Sequence, residues 1–240
     1  MTCIHTPMSG IPDRYRKPST GRAVWTFFAV AMFVVMPWMV EDGLADTTPA
    51  LSDEALIAAL REGGYNLYFR HEATNWSQSD KVFRAEDWLS CDGDQIRQLS
   101  TVGKQRAAAT GAALRALGVP VSKVWASPYC RTQETARQMN LGQVTPTNDV
   151  INLRVADYFG GRAAVIATAQ ALLATQPEGK TNAVIVAHGN VAQAATPIYP
   201  GEGEGVVFQP DGQGGFHFVG RLTHEDWLRL HNAYTLQAKD

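Results

Sequence analysis

The run Asn182-Ala-Val-Ile-Val-Ala187 constrains the fold more than any other stretch of this chain. A strand with one face in solvent alternates apolar and polar residues, whereas a strand covered on both faces shows no polar side. This continuous run therefore predicts a strand with helices above and below it, and it stops on His188-Gly189-Asn190. Two further stretches have a related form. Tyr65-Asn-Leu-Tyr-Phe-Arg70 reads as a strand that ends on the pair Arg70-His71, and Val121–Ala126 gives way to Ser127-Pro-Tyr-Cys-Arg-Thr132. In open parallel sheets the C-terminal edge of the strands is where ligands bind, so all three deliver polar residues toward one place.

Helical stretches separate these strands. Ser52 is placed to cap a helix over 53–61, which Gly63-Gly64 stops, and Ser100 opens another over 101–117, ended by Gly118 and Pro120. Further helices are predicted over 131–139, 163–174 and 225–235, the last capped by Thr223. Two shorter strands, 205–209 and 215–220, are joined by a turn at Pro210-Asp-Gly212. Strands alternating with helices give an α/β class, a three-layer α/β/α sandwich around a mainly parallel sheet. Residues 150–159 carry no clear period, and Glu72–Gln98 is polar and aromatic without one. A loop this long beside a strand end is usually functional.

The chain divides into 1–45, a linker over 46–51 and a domain over 52–240. Arg14, Arg16, Lys17 and Arg22 precede an apolar run from Ala23 to Val40, followed by Gly43-Leu-Ala45. A positive region, an apolar region and a small-residue site read as a secretory signal peptide. An uncleaved membrane anchor is the other reading, since this run lies at the lower limit for spanning a bilayer. Either way the domain is exported, periplasmic or otherwise outside the cytoplasm, and it meets the membrane only if the segment is retained. Cys3 precedes the signal, leaving Cys91 and Cys130 as an even pair that either forms a disulfide or stays as two free thiols. A bond would tie the loop around Cys91 to the pocket rim at Cys130. The formal net charge of -2 and the lack of a basic run exclude nucleic acid as an expected partner.

Arg70, His71, Arg131 and His188 are read as one anion pocket with a nucleophilic histidine at its floor. Two arginines grip phosphate oxygens in forks that lysine cannot form. Their charge also disfavours protonation of nearby imidazoles, and an attacking histidine must be neutral. Arg131 falls in the first turn of its helix, beside free N–H groups suited to phosphate.

With these residues in view, the chain resembles the histidine phosphatase superfamily, the phosphoglycerate-mutase-like clan. The family's Arg-His-Gly is met by Arg70-His71-Glu72, and its mutase-like extension by Thr74 and Trp76. Its Ser-x-x-x-Arg-x-x-x-Thr-Ala block is met by Ser127, Arg131, Thr135 and Ala136, and its late His-Gly by His188-Gly189. The resemblance implies a phosphohistidine on His71, with Arg70, Arg131 and His188 binding the phosphoryl group, His188 also counting as catalytic. It implies no metal and no cofactor.

Three departures stand out. Glu72 replaces the glycine after the nucleophile, and Ser77 stands where the mutases carry an asparagine that touches phosphate. The proton donor falls to Asp157, in Leu153-Arg-Val-Ala-Asp157, with Glu72 second. The expected activity is that of an exported phosphatase acting on a small phosphomonoester, such as a phosphorylated envelope sugar, as in periplasmic members of the clan. The alternative is a non-catalytic phosphate-binding module of the same fold without a proton donor.

Overall fold

The computed structural model describes residues 50–237. The signal or anchor segment, 1–45, and linker residues 46–49 lie outside the described residues, whereas Leu51 already donates its amide to the carbonyl of Val219 at 2.9 Å. Among the described residues no helix is long and apolar enough to cross a membrane.

Six strands form one sheet: β1 (Asn66–Arg70), β2 (Val121–Ala126), β3 (Val144–Pro146), β4 (Asn182–Ala187), β5 (Gly205–Pro210) and β6 (Phe216–Leu222). Their spatial order is β3-β2-β4-β1-β5-β6. The first four run parallel, and β5 and β6 add an antiparallel hairpin at one side. As its composition requires, β4 is buried along its whole length.

The α-helices are α1 (Asp53–Glu62), α2 (Thr101–Ala116), α3 (Cys130–Met139), α4 (Arg162–Leu173), α5 (Gly189–Ala195) and α6 (His224–Gln237). Ser52 and Ser100 cap α1 and α2 by accepting from the amides of Ala55 and Gly103. Alternate strand residues face opposite layers. Leu67, Phe69, Val124, Val184 and Val186 pack on α1, α2, α3 and α6, with Trp227 of α6 fully buried among them. Tyr68, Ile185, Ala187 and Phe208 pack on α4 and α5. Each large apolar side chain buried in this way contributes about 1.5–3 kcal/mol, so the two cores account for the three layers.

A third, smaller core joins Trp88 and Ile96 of the long loop to Tyr129, Ile151, Val155 and Val165. That loop, residues 71–99, closes at its neck: Thr74 bridges Leu99, and Ser100 bonds to the carbonyl of Ala73 through both its amide and its hydroxyl. Cys91 and Cys130 are bonded, with Cα atoms 5.3 Å apart, which fastens the loop to the start of α3.

Candidate active site

Strand order and register assemble the site. Within the parallel set β4 lies between β2 and β1, with Arg70 opposite Ala187 and Ala126 opposite Val186. The residues that follow, His71, Ser127 and His188, therefore emerge from three adjacent strand ends on one edge. The His71 amide continues the ladder by donating to the Ala187 carbonyl at 2.9 Å.

His71 is 7% exposed, and its Nδ1 lies 2.9 Å from the carbonyl oxygen of Glu72. A carbonyl oxygen only accepts, so Nδ1 carries the hydrogen and a neutral ring leaves the lone pair on Nε2. Burial holds this imidazole well below the usual histidine range, and the charge of Arg131 lowers it further. His188 is almost fully buried and neutral for the same two reasons, taken in the same order. Its Nε2 lies 2.9 Å from the Ser127 hydroxyl, while its Nδ1 has no partner among the described residues. Tyr68 locks the backbone there: its hydroxyl donates to the His188 carbonyl and accepts from the His188 amide. The two imidazoles stand edge to face with centroids 5.7 Å apart.

Arg131, in the first turn of α3, is 3% exposed and stacks over Tyr129 at 4.5 Å. Its Nη1 donates to Asp80 Oδ1 at 2.8 Å and its Nη2 to Oδ2 at 3.5 Å, while Nε is buried without a partner among the described residues. Arg70 donates to the Pro200 carbonyl, lies 3.6 Å from Glu202 and sits 5.3 Å from the centroid of Tyr199. Together these groups line a cavity of about 500 Å³ counted to its open mouth. Arg97 and Arg154 line it as well, so four guanidiniums face two carboxylates, Asp80 and Glu202. The surplus of positive charge suits a phosphate anion. Among the described residues no group of three or more His, Cys, Asp and Glu could hold a metal ion.

The structure thus brings Arg70, His71, Arg131 and His188 to one cavity, with Trp76 at its wall. It does not bring Asp157 there. Asp157 lies exposed in a 3-10 segment, Leu153–Phe159, and does not line the cavity. The cause is local: Val155 and Ala156 turn into the third core, and the chain then carries residue 157 to solvent. The second expected donor, Glu72, is also directed elsewhere. Its carboxylate pairs with Arg106 at 3.4 Å beneath Gly203, and burial raises its pKa. Among the described residues Ser77 bonds only to Asn75, on the surface.

Asp80, Arg97, Asn152 and Arg154 enter the cavity without having been singled out in the sequence. The available signal was their place in two stretches without periodicity, 72–98 and 150–159.

A histidine phosphatase superfamily (branch 1) model matches residues 67–158. A comparison with curated proteins returns no match. Among solved structures, the protein histidine phosphatase SixA complexed with tungstate is similar at 16% identity, covering 67% of this chain and 97% of its own, with a TM-score of 0.47. A putative phosphohistidine phosphatase SixA from Agrobacterium tumefaciens is similar at 16% identity over 67% and 97%, with a TM-score of 0.40. A phosphoserine phosphatase mutant from Entamoeba histolytica, in complex with phosphoserine, is similar at 14% identity over 68% and 98%, with a TM-score of 0.46.

Proposed function

From the match of a histidine phosphatase superfamily (branch 1) model to residues 67–158, we propose that residues 52–240 form an exported phosphatase of that kind, which hydrolyses phosphomonoesters through a phosphohistidine on His71. The observation that carries this reading is the state of His71: a neutral ring with Nδ1–H given to the Glu72 carbonyl, leaving Nε2 as the nucleophile in a cavity of net positive charge. The Nε2 lone pair attacks phosphorus in line with the ester oxygen, and the imidazolium character that develops is spread toward Glu72. Arg70 and Arg131 bind the equatorial oxygens, Arg131 through its unpartnered Nε and through Nη groups shared with Asp80. His188, directed by Ser127, supplies a further donor from its unpartnered Nδ1.

Export is supported by the signal-like residues 1–45 and by the Cys91–Cys130 bond, since disulfides persist in oxidising compartments. A phosphorylated envelope sugar suits the mouth of the cavity. Trp76 and Tyr199 are 65% and 51% exposed there, each stacked by an arginine, and offer aromatic surface to an apolar sugar face.

The test is turnover of p-nitrophenyl phosphate with trapping of base-stable phosphohistidine. His71→Ala is expected to lower kcat by at least about 10³-fold and to abolish the label. A second reading, a phosphate-binding module without catalysis, draws on the outward position of Asp157. Phosphate binding without turnover of any ester decides for it.

A further inference from the structure

With Asp157 at the surface and Glu72 beneath Gly203, the cavity is lined by two carboxylates, Asp80 and Glu202. Their surroundings differ. Both oxygens of Asp80 are taken by Arg131, and Arg154 adds a contact at 3.4 Å, so this carboxylate holds the phosphoryl-gripping guanidinium in place. Glu202 is engaged through Oε1 alone, which accepts from the Thr74 hydroxyl at 3.2 Å and lies 3.6 Å from Arg70. Among the described residues its Oε2 has no hydrogen-bond or ion-pair partner.

The turn that carries Glu202 is fastened to the strand end that carries His71. The Gly203 amide donates to the carbonyls of both Arg70 and His71 at 3.2 Å, and the Arg70 amide donates to the Glu204 carbonyl at 3.2 Å. Glu204 Oε2 closes the turn by accepting from the Gly201 amide at 2.7 Å. Gly203 has φ +76°, and a Cβ there would lie 2.1 Å from the Glu72 carboxylate. The turn therefore holds its position relative to the nucleophile through backbone bonds, whatever fills the cavity.

Resting on the phosphatase reading above, we infer that Glu202 is the proton donor to the leaving group. As His71 Nε2 forms its bond to phosphorus, the phosphorus–oxygen ester bond breaks. The acid form of Glu202 passes its proton to the departing oxygen, leaving an alcohol and a carboxylate. A water molecule then attacks the phosphohistidine and gives one proton to the Glu202 carboxylate. The phosphorus–nitrogen bond breaks, and His71 returns to its neutral Nδ1–H form with phosphate released. Asp80 is a positioning residue that acts through Arg131.

The two roles separate on a series of esters whose leaving groups need protonation to different degrees. With p-nitrophenyl phosphate, phenyl phosphate and an alkyl phosphate on the purified protein, Glu202→Gln is expected to lose kcat/KM increasingly along the series. The loss reaches about 10²–10⁴-fold on the alkyl ester, the range of a missing general acid. Asp80→Asn is expected to lose a similar factor on all three, because gripping the phosphoryl group does not depend on what departs. An equal loss for Glu202→Gln across the series, or a growing loss for Asp80→Asn, overturns the assignment and leaves the phosphatase reading intact. A wild-type protein that turns over none of the three esters and takes no label on His71 removes both.

Discussion

Removing the Cys91–Cys130 bond by the double substitution Cys91→Ala/Cys130→Ala perturbs the fold where its effect can be calculated. The bond closes a loop with a sequence separation of 39 residues. In the chain-entropy account, cutting a cross-link of that span returns about 13 cal/mol/K to the unfolded chain, or about 4 kcal/mol at 25 °C. For a domain of this size that is a fall in Tm of about 8–16 °C. The native contacts of the loop are otherwise intact, because its neck is held by the Thr74–Leu99 bridge and by Ser100. The effect is thus expected mainly in stability, with a smaller rise in KM as Asp80 and Arg97 lose one anchor. Urea unfolding followed by tryptophan fluorescence reads the difference, comparing oxidised protein, protein reduced with dithiothreitol, and the double variant. Reduced wild type and double variant should coincide, both well below the oxidised protein. Equal midpoints for all three would refute the claim that the bond constrains the unfolded chain.

Two further outcomes follow from the site. His71 and His188 are both held below the ordinary histidine value, so below about pH 6.5 the unfolded chain takes up protons that the native state does not. Stability present above that value is lost as pH falls toward the folded values, by about 1.4 kcal/mol per pH unit for each ring. His71→Gln should therefore flatten the dependence of the urea midpoint between pH 7.5 and 5.5, and an unchanged slope counts against a neutral buried His71. Gly203→Ala adds a side chain at φ +76° against the Glu72 carboxylate. It should cost at least about 1–2 kcal/mol and lower turnover by shifting Glu202, and a variant with wild-type Tm and kcat speaks against the fixed turn.

Much of this fold was legible in the sequence, because burial on two faces leaves a local trace. The apolar run of β4, the caps Ser52 and Ser100 and the glycine stops each report on their own neighbourhood. Two elements left no such trace. Strand β3 is three residues long, half exposed and ends on Pro146, and α5 opens on Gly189-Asn190 with no cap side chain. The residues at strand ends, Arg70, His71 and His188, could be read for the same local reason. Asp80 and Arg97 could not be ranked above their neighbours, since their positions depend on the closure of a loop whose ends meet at Thr74 and Leu99. Asp157 lies apart from the cavity because Val155 and Ala156 turn inward, which spacing from a family motif does not register.

The sheet edge and the walls of the cavity belong to different parts of the chain. The reacting groups hang from β1, β2 and β4, while two of the cavity's walls come from the loop 71–99 and the turn 199–204, beside Asn152 and Arg154. Each wall has its own fastening: a neck and a disulfide for one, backbone bonds to Arg70 and His71 for the other. Residues can therefore be exchanged in either wall without disturbing a strand, so a lineage could trade one alcohol for another while the phosphorus chemistry stays fixed.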